Sequence, residues 1–156
     1  MSKIKLEKYY TPTIDEFHVG FEYETNYNSD TWKEVTLTTE EAPSLFDAYV
    51  YDAVNTEFRV KYLDIEDIES FGFVHTTSLK NYQENFRITN LLRRLNEEEG
   101  DAMYNEVRLQ YAPDIHRVII YGTVTGFEEE KFFEGTIKNK SELKKILEQL
   151  NIIDKK

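Results

Sequence analysis

The chain has 156 residues, enough for one domain with a core of its own, at 40% hydrophobic and 14% aromatic content. It has no cysteine, which removes disulfides, thiolate nucleophiles and sulfur-bound zinc. Its 30 acidic against 19 basic residues give a net charge of −11, which disfavours a phosphate backbone as partner.

Residues 1–12 read as a lead-in segment of a single globular domain spanning 1–156. The start, MSKIKLEKYYTP, lacks the apolar run of a signal peptide, so a cytoplasmic setting is expected. The longest apolar run, RVIIYG, is too short to span a membrane. The first strand is expected over residues 16–25, where Phe17, Val19, Phe21 and Tyr23 alternate with His18, Gly20, Glu22 and Glu24. A polar turn, NYNSD, leads to a second strand over 31–38, making a hairpin. Residues 39–55 fit either a short helix, with Phe46, Tyr49, Val50 and Ala53 at helical spacing, or a strand. In TEFRVKYLD, Phe58, Val60 and Tyr62 share one face of a strand and Arg59 and Lys61 the other.

Asp64 then caps a short helix anchored by Ile65 and Ile68 and ended by Gly72. FVHTT returns as a short strand and NFRIT reads as extended. NLLRRLNEEEG reads as a helix, with Asn90 as cap, Leu91, Leu92 and Leu95 as stripe and Gly100 as stop. Strands over 104–112 and 115–124 are joined by a Pro-Asp turn, and another strand covers 131–137. The closing helix, NKSELKKILEQLNI, has capping-box spacing at Asn139 and Glu142 and an apolar face of Leu143, Ile146, Leu147 and Leu150. The Asn-Lys-Ser string at Asn139 matches a glycosylation pattern by chance. The fold class expected is α+β: a mostly antiparallel sheet of six to eight strands with the C-terminal helix packed on one face.

The row His18, Glu22, Glu24 is the wet face of the first strand, because four large apolar groups occupy the other face. His18 and Glu22 stand two alternations apart, too far to chelate one ion alone. His75 in VHTT would need a second His-x-Thr/Ser motif to act in a phosphoesterase, and none is present. Nucleophile-elbow, dinucleotide-binding and phosphate-loop motifs are absent. NEEEGD and FEEEK lack the ligand frame of a calcium loop. No catalytic residue, metal site or cofactor is expected, and the chain reads as a non-enzyme. Tyr9, Tyr10, Tyr27, Tyr49 and Tyr51 are candidates for a partner-binding surface, since tyrosine combines area with a polar tip. Arg59, Lys61 and Arg87, each near Tyr or Phe, are candidate ligand-binding cations.

Three strings, YYTPTIDEFHVGFEYE, FRVKYLDIEDIESFGF and FEGTIKNKSELKKIL, resemble small proteins of Bacteroidetes genomes and their phages, a family with no established activity. The likeness leaves residues from about 75 to 115 with little match. It implies a bacterial or phage origin and an intracellular setting, and carries over no catalytic residue. The function expected is therefore a non-enzymatic binding protein, a phage or prophage accessory factor acting on a protein partner. One alternative is a sponge for a nucleotide-like signalling molecule in anti-defence, and another is an acidic DNA mimic.

Overall fold

The structure, a computed structural model, describes residues 7–26, 29–43, 57–79, 83–94, 103–124 and 129–155. The protein is α+β, and its strands divide between two antiparallel sheets, one of four strands and one of five. The sheets belong to two compact units, Met1–Tyr62 and Leu63–Lys156.

The first unit contains β1 (Tyr9–Tyr10), β2 (Glu22–Thr25), β3 (Lys33–Thr36) and β4 (Phe58–Lys61), in the order β1-β4-β2-β3. The expected hairpin is β2–β3, with Glu22 opposite Thr36 and Thr25 opposite Lys33. Tyr9 and Tyr10 are not lead-in: they pair with Lys61 and Val60 and extend the sheet. Period-two alternation buries Tyr23, Phe58 and Val60 with the flanking Phe21 and Leu37. Half-buried Phe17 meets the rings of Phe21, Tyr23 and Phe58 edge-on, at centroid separations of 5.2, 5.3 and 5.7 Å.

The first strand is shorter than its alternation suggests. Thr13 donates from its N–H and its hydroxyl to the Glu16 carboxylate, at 2.7 and 3.1 Å, and residues Ile14–Glu16 close a 3-10 turn. Gly20, at φ +88°, then turns the chain. Val19 sits on that turn and is 60% exposed, so it does not join the buried face. The segment 39–55 is described only as far as residue 43, so the choice between helix and strand lies outside the described residues.

The second unit opens with α1 (Ile65–Glu69), capped as expected: the Asp64 carboxylate accepts from the Asp67 N–H at 2.9 Å. Ile68 is fully buried, but Ile65 is 36% exposed; Phe73 is the second buried group of this segment. Next come β5 (Val74–Leu79), β6 (Gln83–Arg94), β7 (Met103–Ala112), β8 (Arg117–Val124) and β9 (Glu129–Thr136), a meander in chain order. The helix α2 (Lys140–Gln149) closes the unit. Phe86, Leu109 and Ile120 lie in one register row across the sheet. They are buried in one core with Leu143 and Leu147 of α2, which thus covers one sheet face. Asn139 caps α2 by accepting the Glu142 N–H at 2.9 Å. The Glu142 carboxylate takes the Lys138 N–H at 2.6 Å instead of that of Asn139, so the expected box is shifted by one residue. The asparagine of the glycosylation pattern is therefore a helix cap, 2% exposed.

The helix expected over 90–100 is overturned where it is described. Residues 90–94 continue β6, with Arg93 opposite Tyr104 and Arg94 opposite Met103. A leucine stripe at helical spacing is a weak local preference, and pairing with β7 supplies the backbone hydrogen bonds that decide the outcome. A register shift between Thr89 and Arg93 marks where the ladder becomes irregular. Residues 95–100 lie outside the described residues. Among the described residues no helix is long and apolar enough to cross a membrane.

Candidate functional site

With α2 on one face of the five-stranded sheet, strand alternation leaves a second, polar face. Arg87 of β6 stands opposite Arg108 of β7, which stands opposite Tyr121 of β8, which stands opposite Lys131 of β9. The neighbouring row is Asn85, Gln110, Ile119 and Glu134. Arg117, Glu106 and Glu129 complete a face on which four cations, Arg87, Arg108, Arg117 and Lys131, meet three acids, within a chain that is acidic as a whole.

The acids are not evenly shared. Glu134 accepts from both Arg117 and Lys131, the latter at 2.5 Å. Those hydrogen bonds, Lys131 before Arg117, hold its carboxyl below the usual range. Arg108 is held by Glu106, with Nε to Oε1 at 2.5 Å, and by Glu129 at 3.5 Å. The Glu106 hydrogen bond is the main cause that raises the Arg108 guanidinium above its ordinary value. Arg87 is exposed and makes no ion pair with any described residue. Between these groups lies a groove of about 440 Å³, lined among others by Thr76, Arg87, Arg108, Gln110 and Tyr121.

A second constellation lies in the first unit, on the face of the four-stranded sheet away from its core. The Arg59 guanidinium carbon lies 4.0 Å from the ring centroid of Tyr9 and 4.0 Å from that of Trp32. Its Nε donates to Glu24 Oε2 at 2.5 Å. β4 carries Arg59, its partner strand β1 carries Tyr9, and its partner β2 carries Glu24, opposite Arg59 in register. Stacking and the ion pair together fix a side chain that is otherwise long and mobile.

The candidate residues fare unequally. Arg59 and Lys61 share one face of β4, but Arg87 belongs to the other unit, so the three are not members of one sheet. Tyr9 stacks on Arg59. Tyr10 is half-buried, donates to Glu16 at 3.0 Å and packs its ring 4.8 Å from that of Tyr62, so its role in the unit is structural. Tyr27, Tyr49 and Tyr51 lie outside the described residues. His18 is exposed, its Nδ1 2.9 Å from the Glu16 carbonyl oxygen, and Glu24 serves Arg59. His75 Nε2 lies 2.6 Å from Glu84 Oε2 across β5 and β6.

Trp32, Arg108 and Tyr121 did not stand out in the sequence. Only register reveals which residues they meet. Compared with known proteins, the chain matches no family model, no curated protein and no solved structure.

Proposed function

We propose that the chain is a non-enzymatic binding protein that engages a protein partner through the outer face of its four-stranded sheet, as a phage or prophage accessory factor. The observation that carries this reading is the stack of Arg59 between Tyr9 and Trp32, with Glu24 holding its Nε. Trp, Tyr and Arg are the residues most enriched where binding energy concentrates. A cluster already fixed before binding loses less freedom on complex formation than mobile side chains do. Among the described residues Arg59 has one carboxylate partner, Glu24 at Nε. Its terminal N–H groups suit an acidic side chain of the partner, in the forked geometry that arginine offers a carboxylate.

The acidic DNA-mimic reading draws no support from the open face of the five-stranded sheet, where Arg87, Arg108, Arg117 and Lys131 interrupt the acids. The test is quantitative capture from a Bacteroidetes host lysate with the native chain and with a Trp32→Ala/Arg59→Ala variant shown to be folded at the temperature of the assay. The reading expects a protein enriched by the native chain and lost with the variant. It expects the purified pair to lose affinity by about tenfold or more, the scale of a hot-spot truncation. If both baits recover the same proteins in the same amounts, the reading is wrong.

A further inference from the structure

Independently of the outer face of the first unit, we infer that the groove on the open face of the five-stranded sheet binds a small monophosphate ester carrying a planar ring, of the mononucleotide class, with Arg87 and Arg108 on the phosphate. Arg87 and Arg108 stand directly opposite each other on adjacent antiparallel strands. Like charges so placed destabilise a sheet unless something negative lies with them. Glu106 and Glu129 answer Arg108, at 2.5 and 3.5 Å. No carboxylate among the described residues answers Arg87. A phosphate between the two guanidiniums would supply the missing charge, and the planar fork of arginine fits its oxygens in pairs.

Size narrows the class. The groove of about 440 Å³ is in the lower part of the range for small-ligand sites and suits one nucleotide-sized molecule. Its other lining groups suit the remainder of such a molecule. Tyr121, opposite Arg108, offers a ring face and a hydroxyl. Gln110 accepts from Gln83 at 3.0 Å through its Oε1, and its amide N–H groups can donate to a ring carbonyl or ring nitrogen. Glu106 and Glu129 accept from sugar hydroxyls or ring amino groups. The same two carboxylates repel additional phosphates, so a monophosphate should bind more tightly than the corresponding triphosphate.

Calorimetric titration of the full chain tests this, with the 5′-monophosphates of adenosine, guanosine, cytidine and uridine, the parent nucleosides, adenosine triphosphate and inorganic phosphate as probes. At least one monophosphate is expected to bind saturably, about tenfold or more tighter than its nucleoside and than inorganic phosphate, the scale of a charge-assisted contact. Arg87→Ala should lower that affinity by a similar factor at a melting temperature no lower than that of the native chain, since Arg87 is exposed and faces a like charge. Arg87→Gln and Tyr121→Phe, titrated alongside, keep the test decisive should the alanine variant misfold. The inference is overturned if no monophosphate binds, if the Arg87 variants bind undiminished, or if inorganic phosphate or the triphosphate binds as tightly as the monophosphate.

Discussion

The phenol of Tyr111, on β7, donates a hydrogen bond of 2.6 Å to the backbone carbonyl of Leu63, the residue that leads into α1. Both residues are almost fully buried, at 2% and 3% exposure. The bond therefore ties the start of the second unit to the middle of its sheet, away from competing water. Tyr111→Phe keeps the ring and leaves the Leu63 carbonyl without this donor. It should lower unfolding stability by about 1–3 kcal/mol, measured by urea denaturation.

The same phenol sets an alkaline limit. Burial first, then the charges of Asp64 and Asp67, push its ionisation well above the ordinary value of 10.0. The unfolded chain releases this proton first, so the contribution is complete below pH 10 and is lost as pH rises beyond it. The stability of the native chain should fall over that range more steeply than that of Tyr111→Phe. Equal slopes would show that the phenol ionises freely in the folded protein.

His116 contributes on the acid side. It occupies the turn between β7 and β8 at φ +52°, and its carbonyl accepts the Ile137 N–H at 2.8 Å. Burial, then the charge of Lys138, lowers its pKa below 6.5, against a smaller opposing pull from Asp114 and Glu142. The unfolded chain takes up the proton first. The contribution is therefore complete above pH 6.5 and declines as pH falls below it. Asparagine tolerates the left-handed backbone, so His116→Asn should fold and should reduce the loss of stability on acidification. His116→Val, β-branched, should destabilise at every pH by about 1–2 kcal/mol.

These local devices were legible unequally. The Asp64 cap, the β2–β3 and β7–β8 hairpins and the face of α2 follow from short-range signals, and each was readable from a few residues. The division into two sheets was not, because alternation reports a face and not a neighbour. Leu91 and Leu92 misled for a related reason: their helical spacing is local, whereas the pairing of Arg93 with Tyr104 that keeps the segment extended is not. Val19 misled because its alternation continues through a turn that Gly20 and the Thr13–Glu16 bonds impose. At the candidate sites, Arg59 was visible as a cation on the polar face of its strand, and Arg87 only as a cation beside a phenylalanine. The stack with Trp32 and the opposition to Arg108 required register.

Asn139 offers a stability test at the other end of the second unit. Its side chain accepts the Glu142 N–H in the first turn of α2, and it is buried where water replaces a lost cap poorly. Asn139→Ala should cost about 1–2 kcal/mol by denaturant unfolding. Asn139→Ser, which keeps an acceptor oxygen, should recover part of that loss. Equal losses in the two variants would mean that the cap bond contributes little.

Trp32 is the single tryptophan of the chain, so its fluorescence reports on the Arg59 stack without interference from another indole. The guanidinium covers one face of that ring at 4.0 Å, and Tyr9 covers the guanidinium in turn. Arg59→Ala removes the cover and admits water to the indole, so emission should shift to longer wavelength. Stability should fall by only about 1–2 kcal/mol, because a partly exposed cation–π contact and an ion pair are both modest terms. Arg59→Lys keeps the charge and loses the flat guanidinium, so its spectrum should lie nearer that of the alanine variant than that of the native chain. If Arg59→Lys instead emits like the native protein, charge and not stacking fixes the indole, and the planar arginine has no special part in preparing this face for a partner.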